Sequence, residues 1–266
     1  MFFKKNFKKG GFVLVNESEL HTLKDKLLEA REPYALTGAG ISTESGIPDF
    51  RGKDGLWNKI DPMQYSTREV LMSAPEKFYQ YGFERFKQLA DTEPNRGHKV
   101  LAALEQQDIL SGVVTQNIDG LHQKAGSRQV FEVHGNTRTS HCSGCNKEYP
   151  FQELVSQLES ENVEVPICQE CDGMLRPDIV LFGDQMPETF FQVASVLKQK
   201  CDFLLIIGTS LQVYPVAALA ELGIPLGIIN LEATPHDARA EAVLNGECGE
   251  VLDRLWQLIE QELPTD

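Results

Sequence analysis

The chain has 266 residues, enough to bury a sizeable core in one large domain or in one domain with an insertion. With 39 acidic against 25 basic residues its formal charge is −14, which disfavours tight binding to a phosphate backbone and suits a cationic, lysine-bearing partner. Apolar residues make up 41%, no stretch is long and apolar enough for a membrane span, and neither an apolar h-region nor a small-residue cleavage site follows the basic start MFFKKNFKKGG.

In chain order, Asn16 stands as a cap ahead of Leu20, Leu23, Leu27 and Leu28, which recur at helical spacing until Pro33 stops the run. Residues 34–37 read as a short buried strand entering Gly38-Ala39-Gly40. Helical patterns follow over residues 76–89 and 100–106, and residues 113–115 read as a strand. Beyond them come a strand over 179–182, a helix over 189–200, a strand over 203–207, a helix over 216–222, a strand over 226–230 and a helix over 251–262. Apolar strands alternating with amphipathic helices predict a parallel α/β sheet. Between about residues 139 and 177 this alternation gives way to cysteine pairs and polar turns, the mark of an inserted module. The basic start reads as a frayed tail and resists interpretation before Val13.

Four of the six cysteines form two C-x-x-C hooks, Cys142/Cys145 and Cys168/Cys171. Two hooks supply four thiolates, the complement of a closed tetrahedral zinc site with no open position for catalysis. The predicted zinc is therefore structural, and neither His134 nor His141 is needed as a ligand. His141 reads as a surface residue or a neighbour of the ligands. With no export signal, the cysteine usage argues against a disulfide framework and for the cytoplasm.

Residues 34–42 run from a strand into a Gly-x-Gly turn, where glycines let backbone approach a pyrophosphate and a following helix N-terminus favours its charge. Thr43 stands where a dehydrogenase fingerprint needs a third glycine, and no acid is evident at the end of the second strand. A tight strand-to-helix turn explains the glycines equally well. The loop carrying Asp49, Phe50 and Arg51 could cover a sugar and a departing heterocycle, or could be an Asp–Arg pair pinning a buried Phe. Gly208-Thr209-Ser210 and Asn230 stand at two further strand ends, where ligands of open α/β sheets collect. Gln116, Asn117 and Asp119 crowd another strand end, a costly grouping unless each finds a partner. His122 reads as opening or capping the next helix. His134 ends an apolar run beside Gly135, and a histidine near neutral pKa there is a natural general base for a sugar hydroxyl.

The stretches GAGIS, SGIPDFR, TQNIDGLH, VHGN, the two hooks, FGD, GTSLQVYP and IIN occur in the order of the sirtuin family, which the chain resembles from about Tyr34 to Glu250. The resemblance implies a Rossmann-like sheet domain over about residues 13–138 and 178–266. It also implies a small zinc module over about 139–177 with a helical part near 55–95, all in one catalytic domain spanning 13–266. It implies an NAD-dependent protein lysine deacylase that releases nicotinamide and O-acyl-ADP-ribose. His134 would be the general base, with Asn117 and Asp119 catalytic at the ribose and Gln116 supporting them. Gly38, Ala39, Gly40, Thr43, Asp49, Phe50 and Arg51 would line the cofactor loop, and Gly208, Thr209, Ser210 and Asn230 would hold the adenosine half. Cys248 would meet the adenine through its backbone. Val180 and Phe182 would border an acyl-lysine peptide added as a strand. A loop over residues 41–56 that excludes water suits such chemistry.

Members of the family that remove acidic acyl groups carry Phe-Tyr-x-x-Arg, whose Arg pairs the extra carboxylate. Here the run is Phe78-Tyr79-Gln80-Tyr81-Gly82, so neutral acyl groups are expected. Asp184 replaces the Glu of a common FGE, a change at the cleft rim. The alternative activity is mono-ADP-ribosyl transfer to protein, and a third reading is a non-catalytic NAD-sensing or zinc-ribbon module. The resemblance and composition together imply acyl-lysine proteins as partners, neither nucleic acid nor membrane, and a monomer.

Overall fold

In this computed structural model the described residues are 16–52, 55, 61–160 and 163–263. The basic start and part of the 41–56 loop lie outside them. The strands are β1 (Pro33–Thr37), β2 (Gly112–Thr115), β3 (Val130–Glu132), β4 (Gly135–Cys142), β5 (Glu148–Pro150), β6 (Leu175–Ile179), β7 (Phe203–Ile207), β8 (Leu226–Asn230) and β9 (Ala242–Asn245). The α-helices are α1 (Glu17–Glu29), α2 (Arg68–Ser73), α3 (Pro75–Asp91), α4 (Arg96–Gln106), α5 (Leu121–Ala125), α6 (Phe151–Glu159), α7 (Glu188–Lys200) and α8 (Cys248–Glu260).

Six strands form one parallel sheet in the order β3-β2-β1-β7-β8-β9. This is the doubly wound order, and the strand sequence reverses between β1 and β7. Every residue of β1, β2 and β7 is buried, which is why they read as short, mainly apolar runs, with β1 and β2 each ending in a threonine. One face is covered by a cluster that includes Leu20, Leu23 and Leu27 of α1, Leu101 and Leu104 of α4, and Leu252 and Leu255 of α8. The other packs Phe190, Val193 and Leu197 of α7 against Leu36, Leu204, Ile206 and Ile228.

The three remaining strands make a small antiparallel sheet, β5-β4-β6. Its apolar cluster joins Leu154 and Val155 of α6 to Leu71 of α2 and Phe78, Tyr79 and Phe86 of α3. Helices distant in sequence thus complete this lobe's core. β4 starts at Gly135, where φ is 78° and an added Cβ would stand 2.0 Å from the Asp178 carbonyl oxygen.

Three local expectations change. The strand expected over 179–182 is β6, which ends at Ile179 and pairs with β4 rather than joining the large sheet. Its apolar continuation follows a different course because Phe182 bridges to Thr67. The helix expected over 216–222 is a 3-10 turn, Val216–Glu221. The Gly-x-Gly loop likewise leads into a 3-10 helix, Ala39–Ser45, and not an α-helix, which leaves little macrodipole to attract an anion.

Candidate functional site

The C-terminal ends of β1, β2 and β7 meet at the switch point, and there the two glycine loops touch. A Cβ on Gly38 would lie 2.7 Å from the Thr209 Cβ, one on Gly40 2.7 Å from the Gly208 Cα, and one on Gly208 2.4 Å from the Ile41 nitrogen. Gly40 donates its N–H to the Gly208 carbonyl at 2.8 Å, and Gly208 has φ of 60°. The glycines are therefore demanded first by loop-on-loop packing, a reason the sequence pattern does not distinguish from ligand approach. The packing leaves Ala39, Gly40 and Ser210 half-buried at the crevice, while Gly38, Gly208 and Thr209 are buried beneath it. Thr43 turns its hydroxyl back to the Gly40 carbonyl at 2.9 Å.

Next to these loops Asn117 and Asp119 are buried, and each is satisfied. Asn117 Nδ2 donates to the Gly38 carbonyl at 3.2 Å and to Ser42 Oγ at 3.0 Å. Ser42 donates to Asp119 Oδ2 at 2.7 Å, and Leu121 N–H donates to Asp119 Oδ1 at 2.9 Å. Burial raises the Asp119 pKa, and these donors partly oppose it. His98 Nε2 lies 3.4 Å from the same serine oxygen. One hydroxyl proton cannot serve both neighbours, and the shorter contact assigns it to Asp119. Desolvation pushes the His98 pKa down to about 4, so this ring is neutral.

His122 lies in the first turn of α5, as expected of a residue that opens this helix, but it is 1% exposed and packs under the site, a role the sequence did not show. Thr37 Oγ1 gives its proton to Thr115 Oγ1 at 2.8 Å, so His122 Nε2 must be the donor across the 2.9 Å contact to Thr37. Thr115 Oγ1 in turn receives the Asn117 N–H at 3.1 Å. A buried polar floor of Thr37, Ser42, His98, Thr115 and His122 thus holds Asn117 and Asp119. The sequence reading missed these five residues in that role. Each had a signal only in its neighbour: Ser42 ends GAGIS, and His98 follows the helix cap Asn95.

His134 stands where the two sheets join, half-buried, with its carbonyl accepting the Val180 N–H at 2.8 Å. Its Nδ1 lies 3.1 Å from the Gln116 carbonyl oxygen. A carbonyl only accepts, so Nδ1 carries the proton and Nε2 keeps the lone pair. Desolvation lowers the His134 pKa and favours the neutral ring. Gln116 Nε2 reaches Thr209 Oγ1 at 3.0 Å, tying the β2 end to the β7 loop.

On the loop after Ser45, Asp49 Oδ1 accepts the Gly52 N–H at 3.0 Å, so Asp49 shapes its own turn. Phe50 has the Arg85 guanidinium 5.1 Å over its ring. Burial lowers the Arg51 pKa. Asn230 ends β8, with its amide on the Glu232 carbonyl at 2.7 Å. Cys248 is buried at the start of α8, and its thiol pKa is pushed up to about 12, chiefly by desolvation, which keeps it protonated. The neighbouring Gly249 N–H donates to Glu44 Oε2 at 2.5 Å, joining α8 to the glycine loop. Val180 and Phe182 lie on the connection leaving β6, and Phe182 is 36% exposed.

The four hook sulfurs lie within 4.8 Å of one another, with Cys142–Cys171 at 3.4 Å and Cys145–Cys168 at 3.7 Å. Tetrahedral zinc with bonds of about 2.3 Å sets sulfurs roughly 3.8 Å apart. Backbone N–H groups of Gly144, Cys145 and Glu170 point at the sulfurs, as thiolates require. The donor set fits one zinc ion. His141 stands beside the first hook but turns Nδ1 to Asp178, away from a ligand role.

On α3, Tyr79 is fully buried and its hydroxyl donates to the Leu175 carbonyl, while the Cβ position of Gly82 is crowded by the Phe86 ring at 2.9 Å.

A model described as the Sir2 family matches residues 38–215. A protein named NAD-dependent protein deacetylase 2 from Caldanaerobacter subterraneus subsp. tengcongensis is 46% identical over 231 residues, covering 86% of this chain and 92% of that one. A solved Sir2 variant with a deacetylated p53 peptide and 3′-O-acetyl ADP ribose has a TM-score of 0.85 at 37% identity, covering 90% of this chain and 98% of that one. A second, Sir2Tm bound to a propionylated peptide, has a TM-score of 0.81 at 36% identity, covering 90% and 98%.

Proposed function

The chain belongs to the Sir2 family, and from that premise we propose that it is an NAD-dependent protein lysine deacylase favouring neutral acyl groups. The observation that carries the proposal is the His134 Nδ1 contact to the Gln116 carbonyl, which leaves Nε2 as a base at the junction of the two lobes. NAD supplies the ribose that takes the acyl group and the nicotinamide that leaves. His134, held neutral by burial, accepts the proton of a ribose hydroxyl. Asn117 and Asp119 orient that ribose from their buried floor, with Gln116 as a brace. Ala39, Gly40, Thr43 and Ser210 line the cofactor path, with Gly38, Gly208 and Thr209 packed beneath it. Asn230 and the Cys248 backbone meet its adenosine end, and Asp49, Phe50 and Arg51 close over its reactive end.

The acyl-lysine peptide passes Val180 and Phe182, and the four cysteines hold a structural zinc that keeps this wall in place. Both lobes act as one catalytic domain, and the enzyme works as a cytoplasmic monomer without nucleic acid or membrane. Zinc-binding thiolates favour such a reducing compartment. Gly82 at the position of an acyl-pairing arginine, with Tyr79 buried, supports the neutral-acyl preference.

The test is incubation with NAD and acetyl, butyryl, lipoyl and succinyl lysine peptides, followed by mass spectrometry. Nicotinamide and O-acyl-ADP-ribose are expected, with His134→Ala lowering turnover by about 100-fold or more. Rapid succinyl turnover would overturn the acyl preference. ADP-ribosylated protein without deacylated peptide would assign the chain to the transferase reading.

A further inference from the structure

The cleft rim beside Val180 carries more cationic charge than its own carboxylates neutralise. Phe182 donates its N–H to the Ser66 carbonyl at 3.1 Å, and its carbonyl accepts the Arg68 N–H at 2.9 Å. These two bonds dock the start of α2, capped by Thr67, against the segment that leaves β6. They also bring the Arg68 side chain to a cavity of about 400 Å³ that opens next to Val180. Arg68, Arg176, Ile179, Val180, Asp184 and Gln185 line it.

Asp184 is the carboxylate in that lining, and it is unevenly shared. Its Oδ2 accepts from Arg176 and from the Leu181 N–H at 2.8 Å. Its Oδ1 comes within 3.9 Å of Arg68 Nε, an electrostatic contact too long for a hydrogen bond. The side chains of Asp184 and Arg176 are 11% and 18% exposed, so their pair is internal. The Arg68 side chain is 59% exposed and has no other ion pair among the described residues. A glutamate, one methylene longer, would have the reach to hold both guanidinium groups. With aspartate, one of them faces the opening with most of its donors available. The lining then holds two guanidinium groups against one carboxylate, on a chain whose formal charge is −14.

We propose that Arg68 forms an anion subsite that selects acyl-lysine substrates carrying an acidic side chain next to the modified lysine. This deepens the deacylase reading and rests on it for the path of the peptide past Val180. A peptide backbone lying along Val180 directs a flanking side chain into this cavity. A carboxylate there meets the planar fork of Arg68, which a neutral side chain does not engage and a lysine repels. Arg68 acts on substrate choice and takes no part in proton transfer.

The test uses fluorescent acetyl-lysine peptides with Glu, Gln or Lys placed in turn at each of the two positions on either side of the acetyl-lysine. Binding is read by anisotropy and turnover by nicotinamide release, for the wild type, Arg68→Gln, Arg68→Glu and Asp184→Glu. At one position the wild type is expected to bind the Glu peptide about three- to fivefold more tightly than the Gln peptide, with the Lys peptide weakest. Arg68→Gln brings the ratio near one, Arg68→Glu reverses it, and Asp184→Glu shrinks it by occupying Arg68 internally. Raising the salt concentration shrinks the wild-type ratio as well. Equal binding of all peptides, or a Glu preference that survives Arg68→Gln, overturns the proposal. Failure of the deacylase reading is seen separately, as absent nicotinamide release with every peptide. The binding ratios still decide the subsite in that case.

Discussion

His134 is the residue whose environment makes the sharpest forecast. Its pKa lies below the usual histidine value because burial penalises the charged ring. A base must be deprotonated, so activity is present above that lowered pKa and disappears as pH falls through it. The acidic limb of the kcat/KM profile for deacylation is therefore expected below the ordinary histidine range, as a pH series with an acetyl peptide would show. A limb at or above that range would contradict the assignment. Gly208 makes a second forecast. Its φ of 60° and a Cβ position 2.4 Å from the Ile41 nitrogen mean that Gly208→Ala must strain the backbone and part the two loops. The expected cost is about 1–3 kcal/mol, with weaker NAD binding, measured by denaturant titration and calorimetry.

Helix α4 shows how one element serves both stability and site. Asn95 Oδ1 accepts the Gly97 N–H at 2.9 Å and stands 3.1 Å from His98 Nδ1, while Nδ2 donates to the Ile41 carbonyl at 2.7 Å. Asn95→Ala is expected to cost about 1–2 kcal/mol and to free the His98 ring, so urea stability and NAD affinity should fall together. Unchanged NAD affinity would show that α4 does not position the site. The main strands were legible because runs such as β7, Phe203–Ile207, are apolar throughout, a local property. Residues 179–182 misled because apolarity does not say which sheet a segment joins. β6 is drawn to β4 by antiparallel pairing, and Phe182 is held by Ser66 and Arg68, over a hundred residues earlier in the chain.

On the scale of the whole molecule, the two lobes are held by different means. The large sheet has its own cores on both faces, whereas the cluster of the small lobe contains Cys142 and Cys168 themselves. Removing zinc with a chelator is expected to loosen β4, β5 and β6 first, seen as faster hydrogen exchange there than in β1 and β7, together with lost activity. Uniform exchange across both lobes would refute this order. The neutral histidines beneath the site give the molecule an acid sensitivity. As pH falls, the unfolded chain protonates its histidines near 6.5, but folded His98 does so only near 4, so stability is lost across that window. For His98 the loss between about pH 7.5 and pH 5 should be on the order of 2 kcal/mol. Denaturant titrations of the wild type and His98→Gln should show the smaller pH dependence in the variant.

The sequence by itself determined the class of fold and the four-cysteine cluster, and it singled out His134, Asn117 and Asp119 as site candidates. Each of these is written in short-range spacing: strand and helix periods, paired hooks, and polar residues packed onto a strand end. Only the tertiary structure decided what surrounds them. Thr37, Ser42, His98, Thr115 and His122 come from five separate elements and become one hydrogen-bonded floor only when β1, the 3-10 helix after it, α4, β2 and α5 converge. The same holds for the contact of Gly40 with Gly208, and for Arg68 beside Asp184. Such pairings are set by packing between distant elements, and no local period in a chain records them.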